Sequence, residues 1–167
     1  KIIRGEDSGL LSNWYNLPVA YNGRKSSVII SNSEIHRPRG QIADKKSGKI
    51  EFKKTEKLDF ELELGTVLGK NLEFGRTSDF KQSEDLIFGF VLLNDWSARD
   101  IQSWEYQPLG PFLSKSFGTT ISPWIVTPEA LKEFMVRPPE REIKLLPHFE
   151  DEQAYVFDVN LSARLIE

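Results

Sequence analysis

The chain has 167 residues, enough for one domain with a hydrophobic core, and its 39% apolar and 28% charged residues disfavour disordered and fibrous classes. A net charge of -3 without a basic run predicts no nucleic-acid partner, and no apolar run approaches the roughly 18 residues of a membrane span. The absence of cysteine fits a reducing compartment, so we expect a cytoplasmic protein.

The first part of the chain predicts short strands joined by turns. The sequence SSVIIS at 26–31 is rich in β-branched residues, and it lies between LPVAYNG at 17–23 and RPRG at 37–40. Proline and glycine in the two flanking segments are typical of turns. The lysine-rich stretch 42–57, with one Ser-Gly break, predicts a solvated loop or hairpin.

An acidic alternating stretch follows, LDFELELG at 58–65. In a β-strand every second side chain lies on the same face, so Asp59, Glu61 and Glu63 are predicted to share one face. Such a row is either a solvated acidic face or half of a site for a hard cation. The spacing alone leaves both interpretations open.

The next segment, LIFGFVLLN at 86–94, is almost continuously apolar and predicts a strand buried on both faces. Asp95 follows it directly, and an acid at such a place must be paired, hydrogen bonded or metal bound. Together with two carboxylates of the acidic strand, Asp95 would complete an oxygen-only site for Mg²⁺ or Ca²⁺.

Two short helices are predicted after this strand. SARDIQSWE at 97–105 has Ser97 as its candidate N-cap, and TPEALKEFM at 127–135 has Thr127 as N-cap with Pro128 in the first helical position. Because long helices are absent from the sequence pattern, a doubly wound parallel sheet is disfavoured.

Lys115 lies among apolar residues between the two predicted helices. It is either a fixed positive charge near the acids or a surface lysine whose ammonium group reaches water along its aliphatic stem. Most aromatic residues around it are expected in the core. Gln102 and Tyr106 carry polar ends that a binding cleft could use.

The end of the chain, 155–167, alternates apolar and polar residues and predicts a strand that continues to the last residue. There is also no initiator methionine. We therefore expect the chain to be a segment of a longer protein.

One long stretch, LNDWSARDIQSWEYQPLGPFLSKSFGTTISPW at 93–124, resembles the fumarylacetoacetate hydrolase family. The acidic stretch 58–65 and the segment 17–41 resemble preceding parts of the same family in the same order, and the similarity runs from about Arg4 to Leu161. Trp96 and Ser97 favour the branch that hydrolyses a diketone over its decarboxylase and acylpyruvase relatives.

The resemblance implies a fold and an assembly. The fold would be a β-dominated α+β class, a mixed β-sandwich roll, in which residues 1–167 form one partial catalytic domain truncated at both ends. The N-terminal domain and the C-terminal part would lie outside the chain. The resemblance also implies a homodimer.

The resemblance further implies roles for individual residues. Those that would bind or adjoin a divalent ion, Mg²⁺ or Ca²⁺, are Glu61, Glu63, Asp95, Lys115 and Thr119. Those that would contact the substrate are Arg4, Gln102 and Tyr106, and Lys115 with Gln102 would stabilise charge on a reacting oxygen. Asp59 matches no ligand and is expected to be structural or paired with a lysine.

The implied reaction is hydrolysis of a carbon-carbon bond in 4-fumarylacetoacetate, a β-diketone acid, to fumarate and acetoacetate. The family's general-base histidine, a fourth metal carboxylate, a substrate tyrosine and a glutamate partner would lie outside this chain, so we expect the chain alone to be inactive. His36 and His148 are predicted to be exposed or structurally satisfied. A related acylpyruvate hydrolase or decarboxylase, or a non-catalytic metal-binding module, are the alternatives.

Overall fold

The computed structural model describes residues 13–14, 16–44, 46–141, 143–151 and 153–166. These residues form two compact units. Unit 1 contains the ranges Val19–Glu63 and Leu92–Pro123, and unit 2 contains Leu64–Val91 with the segments 13–18 and 124–166. The predicted substrate contact Arg4 lies outside the described residues.

Short strands dominate the structure. In chain order they are β1 (Val28–Ile30), β2 (Arg39–Ala43), β3 (Ile50–Lys54), β4 (Leu58–Asp59), β5 (Leu62–Leu68), β6 (Ile87–Asp95), β7 (Ser97–Ala98), β8 (Thr119–Ile121), β9 (Met135–Val136) and β10 (Val156–Phe157). The α-helices are α1 (Phe80–Glu84), α2 (Arg99–Glu105) and α3 (Pro128–Leu131), and single 3-10 turns span Lys25–Ser27, Lys132–Phe134 and Pro147–Phe149. The predicted β-dominated α+β class is confirmed, and the finer sandwich-roll arrangement stays a prediction.

One four-stranded sheet has the order β1-β8-β6-β5. β1 runs parallel to β8, and β6 runs antiparallel to β8 with Asp95 opposite Thr119. The register therefore places two residues that the sequence assigned to the metal region directly across from each other. Two-stranded antiparallel pairs form from β2 with β3, β4 with β7, and β9 with β10.

The lysine-rich stretch forms the predicted hairpin, β2 to β3, and α2 packs on it. A side chain on Gly40 would bring its Cβ to 2.7 Å from the Cγ2 atom of Ile101, so glycine is required there for close approach. The prediction of a turn at 37–40 is accordingly wrong in its second half, because Arg39 and Gly40 already belong to β2.

The apolar strand β6 is buried only in its middle. Gly89, Phe90 and Val91 are buried, whereas the side chains of Phe88 and Leu92 are 54% and 50% exposed. Within unit 2 the Phe90 ring contacts Phe157 edge-on, with ring centroids 5.2 Å apart. Burial on both faces, as predicted, therefore holds for the centre of the strand alone.

The two predicted helices are present, but the first begins later than expected. Ser97 is not its N-cap: it is buried in β7, where its Oγ donates to the backbone oxygen of Asp95 at 3.1 Å. The helix begins at Arg99 because Ala98 still pairs as a strand with Leu58. The second helix has Thr127 at its N-cap and Pro128 in the first turn, as predicted, although Thr127 makes no side-chain cap hydrogen bond. It ends earlier than predicted, because a 3-10 turn follows at Lys132–Phe134 and Met135 already belongs to β9.

The predicted C-terminal strand is much shorter than the alternation suggests. β10 contains Val156 and Phe157 and pairs with the equally short β9, and Val159 and Leu161 beyond it are exposed. A strand needs a hydrogen-bonding neighbour along its length, and β9 offers two residues. Across the ranges that the structure describes, no helix combines the length and apolar character needed to cross a bilayer.

Candidate functional site

Three carboxylates meet where β5 begins and β6 ends. One oxygen each from Glu61, Glu63 and Asp95 lies within 4.8 Å of the other two. Two oxygens bound to one hard cation at about 2.3 to 2.6 Å lie about 5 Å apart at most. The expected proximity of Glu61 to Asp95 is confirmed, and the triad could hold a metal ion.

The acidic stretch 58–65 is not the single strand that its alternation predicts. β4 ends at Asp59 and β5 begins at Leu62. At the break, the backbone N–H of Glu61 donates to the side-chain oxygen of Asn94 at 3.2 Å, while the N–H of Asp95 donates to the backbone oxygen of Glu61 at 3.1 Å. A side-chain oxygen thus takes the place of one backbone acceptor between the strands. Asp59 therefore lies in β4, before the break, whereas Glu61 and Glu63 lie after β4 ends.

Lys115 is a fixed charge at this triad. Its Nζ lies 2.6 Å from Glu61 Oε2 and 3.0 Å from Asp95 Oδ2, and its side chain is only 10% exposed. Of the two interpretations left open by the sequence, the solvated surface lysine is therefore wrong. Charge-assisted contacts at these distances are the stronger class of protein hydrogen bond.

Arg99 is a second cation at the site, and no pattern in the sequence pointed to it. Its guanidinium contacts Asp59 Oδ2 at 2.8 Å and Glu61 Oε1 at 2.7 Å, and it donates to Gln102 Oε1 at 3.1 Å. Asp59 is therefore paired with an arginine rather than with a lysine. The sequence indicated that Asp59 is structural or has a cationic partner, but it did not identify Arg99 as that partner.

The positive charges neutralise the triad unevenly. Burial raises the pKa of Glu61, but hydrogen bonds from Lys115 and Arg99 together outweigh it, and the pKa lies below its ordinary value. Burial raises the pKa of Asp95 despite the Lys115 hydrogen bond. Burial, followed by the charges of Asp95 and Glu61, raises the pKa of Glu63. The two cations thus favour ionisation of Glu61, whereas the ionised forms of Glu63 and Asp95 are disfavoured.

The composition of the cluster fits a divalent ion. Four carboxylates, counting Asp59, face the two cationic side chains Lys115 and Arg99, which leaves two negative charges when all groups are ionised. Hard carboxylate oxygens are the donors that Mg²⁺ and Ca²⁺ prefer. This donor set, with its residual charge, is what a divalent ion would require from the chain.

A cavity of about 280 Å³ opens beside the triad within unit 1. Its lining includes Glu63, Asp95, Lys115, Thr119 and Arg24. Thr119, which was predicted to adjoin the ion, thus lines the cavity next to the triad. Such a volume could take a small organic acid next to the carboxylates.

Among the residues that the structure describes, the remaining ones named from the sequence do not line this cavity. Gln102 is buried and held by Arg99, and Tyr106 is half-buried; neither lines the cavity beside the triad. Their contact with a substrate stays a prediction. His36 and His148 are both exposed and do not line this cavity either.

Comparison with known proteins decides the family. The model of the fumarylacetoacetate (FAA) hydrolase C-terminal family matches residues 10–164. The chain belongs to the fumarylacetoacetate hydrolase family. Fumarylacetoacetases from Arabidopsis thaliana and Rattus norvegicus are 48% and 49% identical to it over 164 residues, and that from Homo sapiens is 45% identical over 164 residues.

The matches to these relatives cover 98% of this chain but 39% of each relative's length. Glu61, Glu63, Asp95 and Lys115 all fall inside the part that the family model matches. The site described above is therefore built from residues within the family's C-terminal domain, and the resemblance inferred from the sequence is confirmed.

Proposed function

We propose that the protein containing this chain hydrolyses 4-fumarylacetoacetate to fumarate and acetoacetate, the last step of tyrosine and phenylalanine breakdown. The observation that carries the proposal is a carboxylate triad with a buried lysine, in a chain 45% to 49% identical to several fumarylacetoacetases. The substrate is a small β-diketone acid. We extend the proposal to a cytoplasmic homodimer with the mixed β-sandwich roll of the family.

Glu61, Glu63 and Asp95 would hold the ion, Mg²⁺ or Ca²⁺, with Lys115 and Thr119 beside it. When bound, such an ion polarises the oxygens of a diketone and stabilises negative charge on the leaving enolate.

Lys115 would act as a fixed electrostatic group. Its ammonium is held by Glu61 and Asp95 at the edge of the cavity, so its charge is in place before a substrate arrives. A preorganised donor of this kind stabilises charge that develops on oxygen without reorganisation during the reaction.

Gln102 would supply a second donor through its amide N–H₂ group, as the family resemblance implies. In this chain Gln102 is buried, and its Oε1 accepts from Arg99. Arg4 and Tyr106 would contact the substrate, and Arg4 is suited to a carboxylate by its two-pronged donor geometry. The histidine that activates water would come from a part of the protein outside this chain.

Product analysis with the full-length protein tests the proposal. The protein is incubated separately with fumarylacetoacetate, an acylpyruvate and oxaloacetate, and the products are identified by chromatography. We expect equimolar fumarate and acetoacetate from the first substrate, at a rate well above the rates for the other two. Preferred hydrolysis of the acylpyruvate, or release of carbon dioxide from oxaloacetate as the main reaction, would instead favour the related enzymes.

Two lysine variants provide a matched pair for this assay. Lys115→Met should reduce hydrolysis by about a hundredfold or more, as removal of an electrostatic donor commonly does. Lys53→Met removes a lysine that pairs with Glu56 on the exposed hairpin and should leave the rate unchanged. Equal rates in the two variants would contradict the role given to Lys115.

A further inference from the structure

Glu105, the last residue of α2, organises the loop that carries Lys115. Its Oε1 atom accepts three hydrogen bonds from that loop: from the backbone N–H of Phe112 at 2.8 Å, from the backbone N–H of Ser114 at 2.8 Å and from the hydroxyl of Ser114 at 2.6 Å. In the part of the chain that the structure describes, Glu105 forms no ion pair. The described contacts of its carboxylate are therefore hydrogen bonds to this loop.

Ser114 is held from two sides as a result. Glu105 fixes its N–H and its hydroxyl, and its backbone oxygen accepts from the N–H of Ala98 at 2.9 Å. Ser114 and Ala98 are both fully buried. The next residue is Lys115, so the backbone from which this side chain extends has little freedom to move.

The helix α2 thereby sets both cations of the site. At its first residue, Arg99 reaches Glu61 directly, at 2.7 Å. At its last residue, Glu105 acts through Ser114 on Lys115, whose Nζ lies 2.6 Å from the other oxygen of the same Glu61. The two oxygens of one candidate metal ligand are thus each occupied by a cation whose position depends on this helix.

We propose that Glu105 is a positioning residue that holds the Lys115 ammonium on Glu61 and Asp95 and so limits the affinity of the triad for a divalent ion. A positive charge fixed at about 3 Å from two candidate ligands repels a second cation and competes for the same oxygens. Loosening the loop moves that charge away. The part of this inference that concerns metal affinity rests on the ion site proposed above.

The direction of the effect separates positioning from structural damage. The full-length protein is titrated with Mn²⁺, which binds oxygen donors. Binding should be roughly threefold tighter in Glu105→Ala and at least about tenfold tighter in Lys115→Met, because each substitution reduces the positive charge that competes with the ion. Glu105→Gln keeps an acceptor oxygen for the loop and should bind Mn²⁺ like the unaltered protein. A merely damaged site would bind the ion more weakly.

The double variant Glu105→Ala/Lys115→Met gives the decisive comparison. If Glu105 acts through Lys115, the double variant binds Mn²⁺ as Lys115→Met does, since nothing is left to position. Weaker or unchanged binding in Glu105→Ala, or an equal effect of that substitution in both backgrounds, would overturn the inference. Ser114→Ala removes one of the three donors and should shift affinity in the same direction if Glu105→Ala does not fold.

Thermal unfolding with a chelator present tests the positioning without any ion. The melting temperature should fall less on changing Glu105 to alanine in the Lys115→Met background than in the unaltered background, because contacts held through Lys115 are already lost. Additive shifts would overturn the inference. An absence of Mn²⁺ binding together with non-additive melting would reject the proposed metal site while leaving the positioning role of Glu105 intact.

Discussion

Replacing Glu61 or Glu63 by glutamine should change the stability of the metal-free protein in opposite directions. Glu61 contacts Lys115 at 2.6 Å and Arg99 at 2.7 Å, and both contacts lose their charge in Glu61→Gln. Hydrogen bonds to charged groups contribute about 1.5 to 3 kcal/mol each. Because Arg99 keeps Asp59 and Lys115 keeps Asp95 as a partner, we expect the free energy of unfolding to fall by only about 1 to 3 kcal/mol.

Glu63→Gln should instead stabilise the protein. Burial, then Asp95 and Glu61, raise the pKa of Glu63, so its ionised form is disfavoured in the folded state. Two like charges about 5 Å apart repel by about 1 kcal/mol in water. Neighbouring groups partly enclose the Glu63 carboxylate, but the residue as a whole is exposed. Solvent screening therefore keeps the expected gain at about 0.5 to 1 kcal/mol.

The pH dependence of the two stability changes, in Glu61→Gln and in Glu63→Gln, follows from the pKa shifts of Glu61 and Glu63. Because the folded pKa of Glu63 is raised, its destabilising effect builds up as pH rises from the unfolded pKa through the folded value. The gain in Glu63→Gln is therefore present at neutral pH and absent below the unfolded pKa. The folded pKa of Glu61 is lowered, so its stabilisation is present above the unfolded pKa and disappears as pH falls through the folded value. Both differences should therefore vanish in acid.

The assay is thermal unfolding of the full-length protein and both variants in a chelator, at neutral pH and in acid. The two substitutions are chemically identical and lie two residues apart, so each serves as the control for the other. Shifts of the same sign at neutral pH, or a destabilised Glu63→Gln protein, would refute the account of how Lys115 and Arg99 neutralise the triad.

Two further predictions concern packing and the limits of this chain. Gly40→Ala should destabilise the protein by about 1 to 3 kcal/mol in chemical denaturation, because the added Cβ would lie 2.7 Å from Ile101 Cγ2. Gly23→Ala should be nearly neutral, because its added Cβ would have no atom within 4 Å. Equal effects of the two substitutions would contradict the packing of α2 on the hairpin. The 167-residue chain alone should not hydrolyse fumarylacetoacetate measurably, because both its histidines are exposed and away from the cavity, and a general base commonly contributes about 10² to 10⁴-fold. Sustained turnover by the purified chain would point to a base within it.

The triad could be predicted from the sequence because its signals are local. The two-residue period of a strand groups Glu61 with Glu63, and an acid directly after a buried strand, Asp95, must find a partner nearby. The alternation could not show that the strand breaks before Leu62, since the break depends on the side chain of Asn94, which is distant in sequence.

Partners contributed by other segments were harder to predict. Arg99 stands in the sequence as one arginine among many, and only the packing of α2 brings it to Asp59 and Glu61. The N-cap assigned to Ser97 failed for a similar reason, because pairing of β7 with β4 extends the strand past it. At the C-terminus, the alternation predicted side-chain direction but could not supply a neighbouring strand.

The most direct test of the central claim, that Glu61, Glu63 and Asp95 bind one divalent ion, is a melting series of the full-length protein in Mg²⁺ and Ca²⁺. An ion that binds only the folded state at about 100 times its dissociation constant stabilises that state by roughly 2.7 kcal/mol. We predict an upward shift of the melting temperature that disappears in both Glu61→Gln and Asp95→Asn. An equal shift in a sodium salt of matched ionic strength, or a divalent shift that persists in both variants, would contradict the shared site.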